Sequence, residues 1–153
     1  MPVERASADD LAELSARITA WAERERAENE LVLAVDQHEP TGRWFVRLRG
    51  EDRDVITVWL TLRERTLHYE TQFMPAPEEN HAQLFEYLLR LNQRLYALRF
   101  AIGDEDALYL VGQLPWSAVD DDEIDRIVGS TYAAVEQYFA SAMSIGYASK
   151  FRR

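Results

Sequence analysis

Three stretches in the first half of the chain alternate apolar and polar side chains with the two-residue period of a β-strand. They cover residues 44–50, 55–62 and 65–73, and charged residues fill the short connections between them. In the second stretch, one side is aliphatic throughout, and it carries Ile56, Val58, Leu60 and Leu62. Because connections this short join antiparallel neighbours, the pattern predicts a three-stranded meander with that aliphatic side facing the core.

A helical period follows the meander. Leucines recur at steps of four and three residues, at Leu84, Leu88, Leu91, Leu95 and Leu98. This spacing places one apolar stripe on one side of a helix and predicts a helix over residues 80–96, with Asn80 as its N-terminal cap. Residues 98–102 and 107–114 alternate again around the turn-forming run 103–106, which predicts a hairpin of two further strands.

Both ends of the chain carry helix signals. The segment from Ser7 to Asp10 has the form of a capping box, and the apolar steps of three and four that follow predict a helix over residues 8–28. Four consecutive carboxylates begin a second amphipathic stretch, which predicts a last helix over residues 120–143. A short basic and aromatic tail, residues 146–153, follows that helix.

The segment between the first helix and the first predicted strand is ambiguous. Its apolar run, residues 31–35, is too short for its period to separate helix from strand, and we expect this run to form an irregular or short extended entry to the sheet. The order of elements is then αβββαββα. A chain of 153 residues, 47% of them hydrophobic, supplies one continuous core. We therefore predict a single α+β domain, residues 1–153, in which helices pack on a five-stranded antiparallel sheet.

The charge of the chain narrows the choice of partners. With 27 acidic and 17 basic residues, the formal net charge is −10. Phosphate backbones and anionic membrane surfaces would be repelled at long range, so we expect neither nucleic acid nor a membrane as a partner.

The chain contains no cysteine, which excludes disulfides, thiolate nucleophiles and cysteine zinc sites. No leader pattern or long apolar run is present, and we expect a cytoplasmic protein.

The residues that most invite a metal or a catalytic role have simpler interpretations. The carboxylates at 120–123 fan out around a helix, and they suit the positive end of its dipole better than a cation. His38, His68 and His81 lie in a loop, a strand and a helix start, without the spacing of a helical zinc site. The glycines are scattered, so no phosphate-binding loop is formed. We therefore expect no metal, no cofactor and no catalytic residue, and we predict that the protein is not an enzyme.

The side of the predicted sheet opposite the aliphatic residues mixes large aromatic side chains with arginine. We expect it to carry Phe45, Arg47, Trp59, Tyr109 and Val111. A sheet surface of this composition is typical of a protein contact, either with a partner or with a second copy of the chain. The other open interpretation is that these residues form cross-strand pairs that stabilise the sheet, or lie under the tail.

Several short motifs resemble the YbjN family, in particular its actinobacterial branch. They are residues 65–71, 74–80, 87–92, 100–102, 109–112 and 129–130, and the resemblance spans most of residues 40–150. It implies a fold similar to that of the small, acidic, dimeric chaperones of type III secretion, and a role as a regulator of bacterial sensory transduction. It also implies a non-enzymatic adaptor that forms a homodimer and holds a segment of another protein.

The leading hypothesis is therefore a cytoplasmic regulatory or chaperone-like protein that binds a segment of an unidentified partner protein. Two alternatives remain open. In the first, the aromatic sheet face serves only to close a homodimer. In the second, a small ligand binds between the sheet and the helices.

Overall fold

The computed structural model describes residues 3–38 and 40–150, so part of the predicted tail lies outside the described residues. The helices are α1 (Ala8–Glu28), α2 (His81–Leu91) and α3 (Asp121–Gly146). The strands are β1 (Val32–His38), β2 (Arg43–Arg49), β3 (Val55–Leu62), β4 (Thr66–Met74), β5 (Arg99–Ile102) and β6 (Leu108–Pro115). Together they form an α+β domain built on one sheet.

The sheet is antiparallel and has the strand order β1-β2-β3-β4-β6-β5. Strands β1 to β4 follow one another as a meander. Strand β6 then pairs with β4, and β5 lies outside β6. The two strands at the edges of the sheet are therefore β1 and β5.

The prediction of five strands was wrong, because a sixth strand, Val32–His38, begins within the apolar run 31–35. This strand, β1, pairs with β2 through the register Val35 to Val46, and it buries Val35 in the core. The register shifts between Val32 and Ala34, which is the mark of a β-bulge. A bulge adds one residue to one strand, and the extra residue interrupts the alternation of apolar and polar positions that would otherwise identify the strand.

All three helices bury their apolar side chains against the same side of the sheet. The aliphatic side of β3 lies there, with Ile56, Val58 and Leu60 fully buried. The two indoles of this core donate hydrogen bonds to its rim. Trp21 donates to the carboxylate of Asp125 on α3 at 2.6 Å, and Trp44 donates to the hydroxyl of Thr19 on α1 at 3.0 Å. Each large ring is therefore buried without leaving its N–H unpaired.

Side chains cap the first turns of α1 and α3. Ser7 and Asp10 form the predicted capping box, in which the Ser7 hydroxyl accepts from the Asp10 N–H at 3.1 Å and the Asp10 carboxylate accepts from the Ser7 N–H at 2.9 Å. The hydrogen bond from the Ser7 backbone lowers the pKa of Asp10. At α3, the Asp120 carboxylate accepts from the Glu123 N–H at 2.9 Å. One member of the acidic run at 120–123 thus serves as a helix cap.

Helix α2 ends earlier than the leucine pattern predicts. The predicted helix runs to residue 96, whereas α2 ends at Leu91. The chain must reverse there to enter β5, and the Asn92 side chain accepts a hydrogen bond from the Phe100 N–H at 2.7 Å, which ties the helix end to that strand. Asn80 also departs from expectation, since it adopts a left-handed conformation and donates to the Ile145 carbonyl at 3.0 Å instead of capping α2.

Tyr69 joins the middle of the sheet to the segment that links α2 and β5. Its hydroxyl donates to the Ala97 carbonyl at 2.6 Å, and Ala97 has a positive φ of 54°. Gly112, its cross-strand partner, leaves room for the ring, because a Cβ there would lie 2.3 Å from a Tyr69 ring carbon. Burial raises the pKa of Tyr69 to about 12. The neutral phenol is therefore the form that the fold requires.

Alkaline unfolding tests this role of Tyr69. Because the folded pKa lies above the ordinary value of 10.0, the stabilising contribution of the protonated phenol is complete below about pH 10 and is lost as the pH rises through about 12. Tyr69→Phe should cost about 1 kcal/mol at neutral pH, because the Ala97 carbonyl loses its donor. It should also reduce the fall in unfolding free energy, measured in urea, between about pH 8 and about pH 11.

The matched control is Tyr87→Phe, since Tyr87 on α2 is not among the groups that shift the pKa of Tyr69 and its hydroxyl forms no hydrogen bond within the described residues. This variant should keep the alkaline fall of the unmodified chain. The assignment is wrong if the Tyr69 and Tyr87 variants lose stability with pH in the same way.

Candidate protein-binding surface

The side of the sheet opposite the core carries no helix in the part of the chain that the structure describes. We call it the open face. Its side chains alternate with the buried ones on β2 to β6, and they are Arg43, Phe45, Arg47, Arg49, Val55, Thr57, Trp59, Thr61, Thr66, His68, Glu70, Gln72, Arg99, Ala101, Tyr109, Val111, Gln113 and Pro115. All five side chains predicted for a contact surface lie on this face.

One row of directly paired residues crosses the open face. It runs from β2 to β5 through Phe45, Trp59, Glu70, Val111 and Arg99. Side chains at paired positions lie on the same side of the sheet and contact one another. The row therefore places one apolar group on each side of the Glu70 carboxylate.

The first apolar group is the aromatic pair of Phe45 and Trp59. Their ring centroids lie 5.4 Å apart with the planes inclined by 58°. The Arg43 guanidinium lies 4.4 Å from the centroid of the Trp59 ring. It also forms an ion pair with Glu70 at 2.7 Å and donates to the Thr61 hydroxyl at 3.1 Å. Because the guanidinium is held at two points, it orients the indole before any partner arrives.

The second apolar group is formed by Tyr109 and Val111 on β6. Tyr109 pairs with Gln72, and its ring lies against Gly103, where an added Cβ would stand 2.3 Å from the ring. With Glu70, Ala101, Ile102, Gly103 and Asp104, these two side chains line a shallow depression of about 220 Å³. The predicted residues thus form two clusters, and β4 separates them.

The three histidines lie on three separate elements. His38 ends β1, His68 lies in the middle of β4 and His81 begins α2. Burial lowers the pKa of His68, and the nearby Arg63 lowers it further. Within residues 3–38 and 40–150, no group of three histidine, aspartate or glutamate side chains could hold a metal ion. No helix in those ranges is long and apolar enough to cross a membrane.

A second exposed apolar surface was missed by sequence reasoning. It is a groove of about 370 Å³ between α2 and β5, lined by Phe85, Leu88, Leu89, Phe100, Ala101, Ile102 and Leu108. We call it the α2–β5 groove. Leu89 and Ile102 line it and are 66% and 57% exposed. The sequence could have indicated this groove through Leu89, because Leu89 is an apolar residue that lies outside the buried helical stripe of Leu88 and Leu91.

A comparison with models of protein families identifies the family of this chain. The family model YbjN, described as "Putative bacterial sensory transduction regulator", matches residues 14–142. This chain belongs to the YbjN family. The match begins inside α1 and ends inside α3, so it includes every strand and both surfaces described above.

Relatives of this YbjN family member occur in mycobacteria. An uncharacterized protein of Mycobacterium leprae is 33% identical over 111 residues, which cover 72% of this chain and 60% of the relative. An uncharacterized protein of Mycobacterium tuberculosis is 34% identical over 109 residues, which cover 71% of this chain and 60% of the relative. The chain thus spans about 60% of the length of the curated relatives it matches.

Solved structures with a similar fold come from type III secretion. One is a chain of the heterodimeric complex ExoU–SpcU of Pseudomonas aeruginosa, with a TM-score of 0.51, 15% identity and coverage of 78% of this chain and 93% of that chain. Another comes from the Yersinia pestis secretion chaperone SycH in complex with a fragment of YscM2, with a TM-score of 0.53, 16% identity and coverage of 81% and 98%. At this identity the likeness establishes the fold: the YbjN domain shares that of the secretion chaperones.

The aromatic pair yields a quantitative prediction. In a double-mutant cycle of Phe45→Ala and Trp59→Ala, the two rings should show a coupling free energy of about 0.5–1.5 kcal/mol, because tilted aromatic pairs contribute beyond their buried area. Urea unfolding of the four proteins measures it. A cycle of Phe45→Ala with Tyr109→Ala is the control, since those two side chains lie in different clusters and should be additive. Additivity in both cycles would contradict the pairing.

Proposed function

We propose that this protein is a non-enzymatic regulatory or chaperone-like protein that holds a segment of a partner protein on the open face. The observation that carries the proposal is the aromatic pair of Phe45 and Trp59, oriented by Arg43 on a sheet surface that no helix of the described residues covers. Large aromatic side chains held in one orientation bind with little further loss of conformational freedom.

The comparisons support a binding role. The family is described as a regulator, and both fold neighbours come from complexes with another protein. The separate positions of the three histidines support a role without catalysis, since acid–base chemistry requires groups within hydrogen-bond reach of one another. In addition, Glu70 already accepts from Arg43.

We also propose that the protein self-associates through the α2–β5 groove, with a second copy as the occupant. The groove lies beside β5, whose outer edge has no strand neighbour among the described residues, and its own rim carries the exposed Leu89 and Ile102. A two-fold axis beside β5 would let each copy insert these side chains into the groove of the other. Every residue that lines the groove is apolar, so no polar group is available to orient a small ligand.

Affinity capture tests the binding role of the open face. The tagged chain and a Trp59→Ala, Tyr109→Ala variant are incubated with native lysate of the source organism, and recovered proteins are quantified. At least one protein should be depleted about tenfold with the double variant, because truncating a central aromatic residue typically costs 2 kcal/mol or more. Tyr96→Ala removes an exposed aromatic residue outside the open face and should recover that protein fully. Equal recovery of every protein with all three baits would exclude the open face as the partner-binding surface.

Sedimentation equilibrium tests self-association separately. Leu89→Glu should convert a dimer to a monomer, because it places two charges in an apolar interface. Leu89 is 66% exposed in the single chain, so the variant should keep its folded circular dichroism spectrum. The control is Leu33→Glu, which adds the same charge to a residue 49% exposed on the opposite edge strand. A dimer that persists in the Leu89 variant contradicts this interface.

A further inference from the structure

The open face carries a charge opposite to that of the whole chain. Its charged side chains on β2 to β6 are four arginines, at 43, 47, 49 and 99, and one carboxylate, Glu70. Two more carboxylates lie at the margin: Asp36 of β1, opposite Phe45, and Asp104, in the depression beside Tyr109. The whole chain has 17 basic against 27 acidic residues. Most of the excess negative charge must therefore lie elsewhere on the surface.

Three of the arginines are available to a partner. Arg43 is neutralised by Glu70, as described above. Arg47, Arg49 and Arg99 are exposed, and none of the three forms an ion pair within residues 3–38 and 40–150. Arg47 lies 5.4 Å from the centre of the Phe45 ring. The charges that act on His68 agree with this excess of arginine. Burial lowers the pKa of His68 most, Arg63 and Arg99 lower it further, and Glu70 raises it.

Two of these arginines, Arg47 and Arg99, stand on opposite sides of the aromatic surface. Arg47 lies on β2 beside Phe45, whereas Arg99 lies on β5 beside Val111, four strand positions away in the sheet. Neighbouring strands are about 4.8 Å apart, so about 20 Å separates the two positions. An extended chain advances about 3.3 Å per residue, and about six residues would cross this distance.

We propose that the segment bound on the open face is an extended acidic stretch of a partner protein, with a carboxylate near each of Arg47 and Arg99 and apolar side chains between them. This inference rests on the proposed function and names the chemistry of its partner. Arginine suits the planar carboxylate because its guanidinium donates two parallel hydrogen bonds. The apolar residues of the segment would lie on the Phe45–Trp59 pair and on the Tyr109–Val111 cluster.

A nucleic acid fits the surface less well, although phosphate is also an anion. Every phosphate of a nucleic acid brings a further negative charge toward a protein with a net charge of −10. A short peptide needs only two or three carboxylates to contact the arginines. The open face also has no lysine among its residues, and its Glu70 would face the nucleic acid backbone. We therefore favour the peptide, and the experiment includes an oligonucleotide as a competing probe.

Selection from a random twelve-residue peptide display library on the full chain tests the inference. The selected peptides should be enriched in Asp and Glu, with carboxylates five to seven residues apart around apolar residues. A synthetic selected peptide should lose about tenfold in affinity with Arg47→Glu, and about tenfold with Arg99→Glu, because each variant replaces a charge-assisted contact by repulsion. Arg26→Glu on α1 makes the same change of net charge outside the open face and should alter the affinity less than about twofold.

The other outcomes separate this inference from the proposed function. Selected peptides that lack acidic enrichment yet require Trp59 would overturn the acidic partner and leave the binding role intact. Failure to select any peptide that depends on the open face would overturn the inference, and the affinity capture described above would then decide the binding role alone. Equal binding of a twelve-nucleotide single-stranded DNA, with the same dependence on Arg47 and Arg99, would also overturn it.

Discussion

The register of β2, β3 and β4 decides which side chains this protein buries and which it presents. Successive residues of a strand point to opposite sides of the sheet, so burying Val46 and Val58 places Phe45 and Trp59 on the open face. A slip of one residue would exchange the two sets and expose the core side chains. The helices that cover the core side therefore also determine the composition of the opposite surface, without contacting it.

Much of this arrangement could be read from the alternation itself. The period of residues 55–62 predicts both the strand and its buried side, and Ile56, Val58 and Leu60 are indeed buried. The capping box and apolar steps of the first helix predict α1 to its ends. In these elements, local preference and tertiary packing favour the same structure, which is the condition under which a single sequence is informative.

The differences arise where a contact distant in sequence overrides the local pattern. Strand β1 is held by its pairing with β2, and its bulge removes the period that would reveal it. The leucine spacing continues past Leu91, but the Asn92 side chain and the turn into β5 end α2 there. The α2–β5 groove depends on how a helix and a strand edge lie together, and no spacing within either element encodes that distance. The placement of the five predicted residues on the open face was more accessible to prediction, because strand alternation alone determines it.

The position of the four arginines also changes how the bulk charge of the chain should be understood. A net charge of −10 describes the average surface that approaching molecules meet at long range. At contact distance, the open face instead presents Arg47 beside the Phe45 ring and Arg99 beside Val111. Average repulsion and local attraction act at different distances, so the net negative charge does not oppose the proposed binding of an acidic segment on the open face.

The bulge in β1 has a further consequence for how copies of the sheet can meet. An exposed edge strand is a template for further strands, and a sheet with two equivalent regular edges can add copies head to tail into an open fibre. Here the register shift between Val32 and Ala34 breaks the ladder on one edge, whereas β5 pairs with β6 in unbroken register on the other. Pairing of β1 with β5 of the next copy is disfavoured, and the proposed pair of copies joined beside β5 would leave only the irregular β1 edges for further growth.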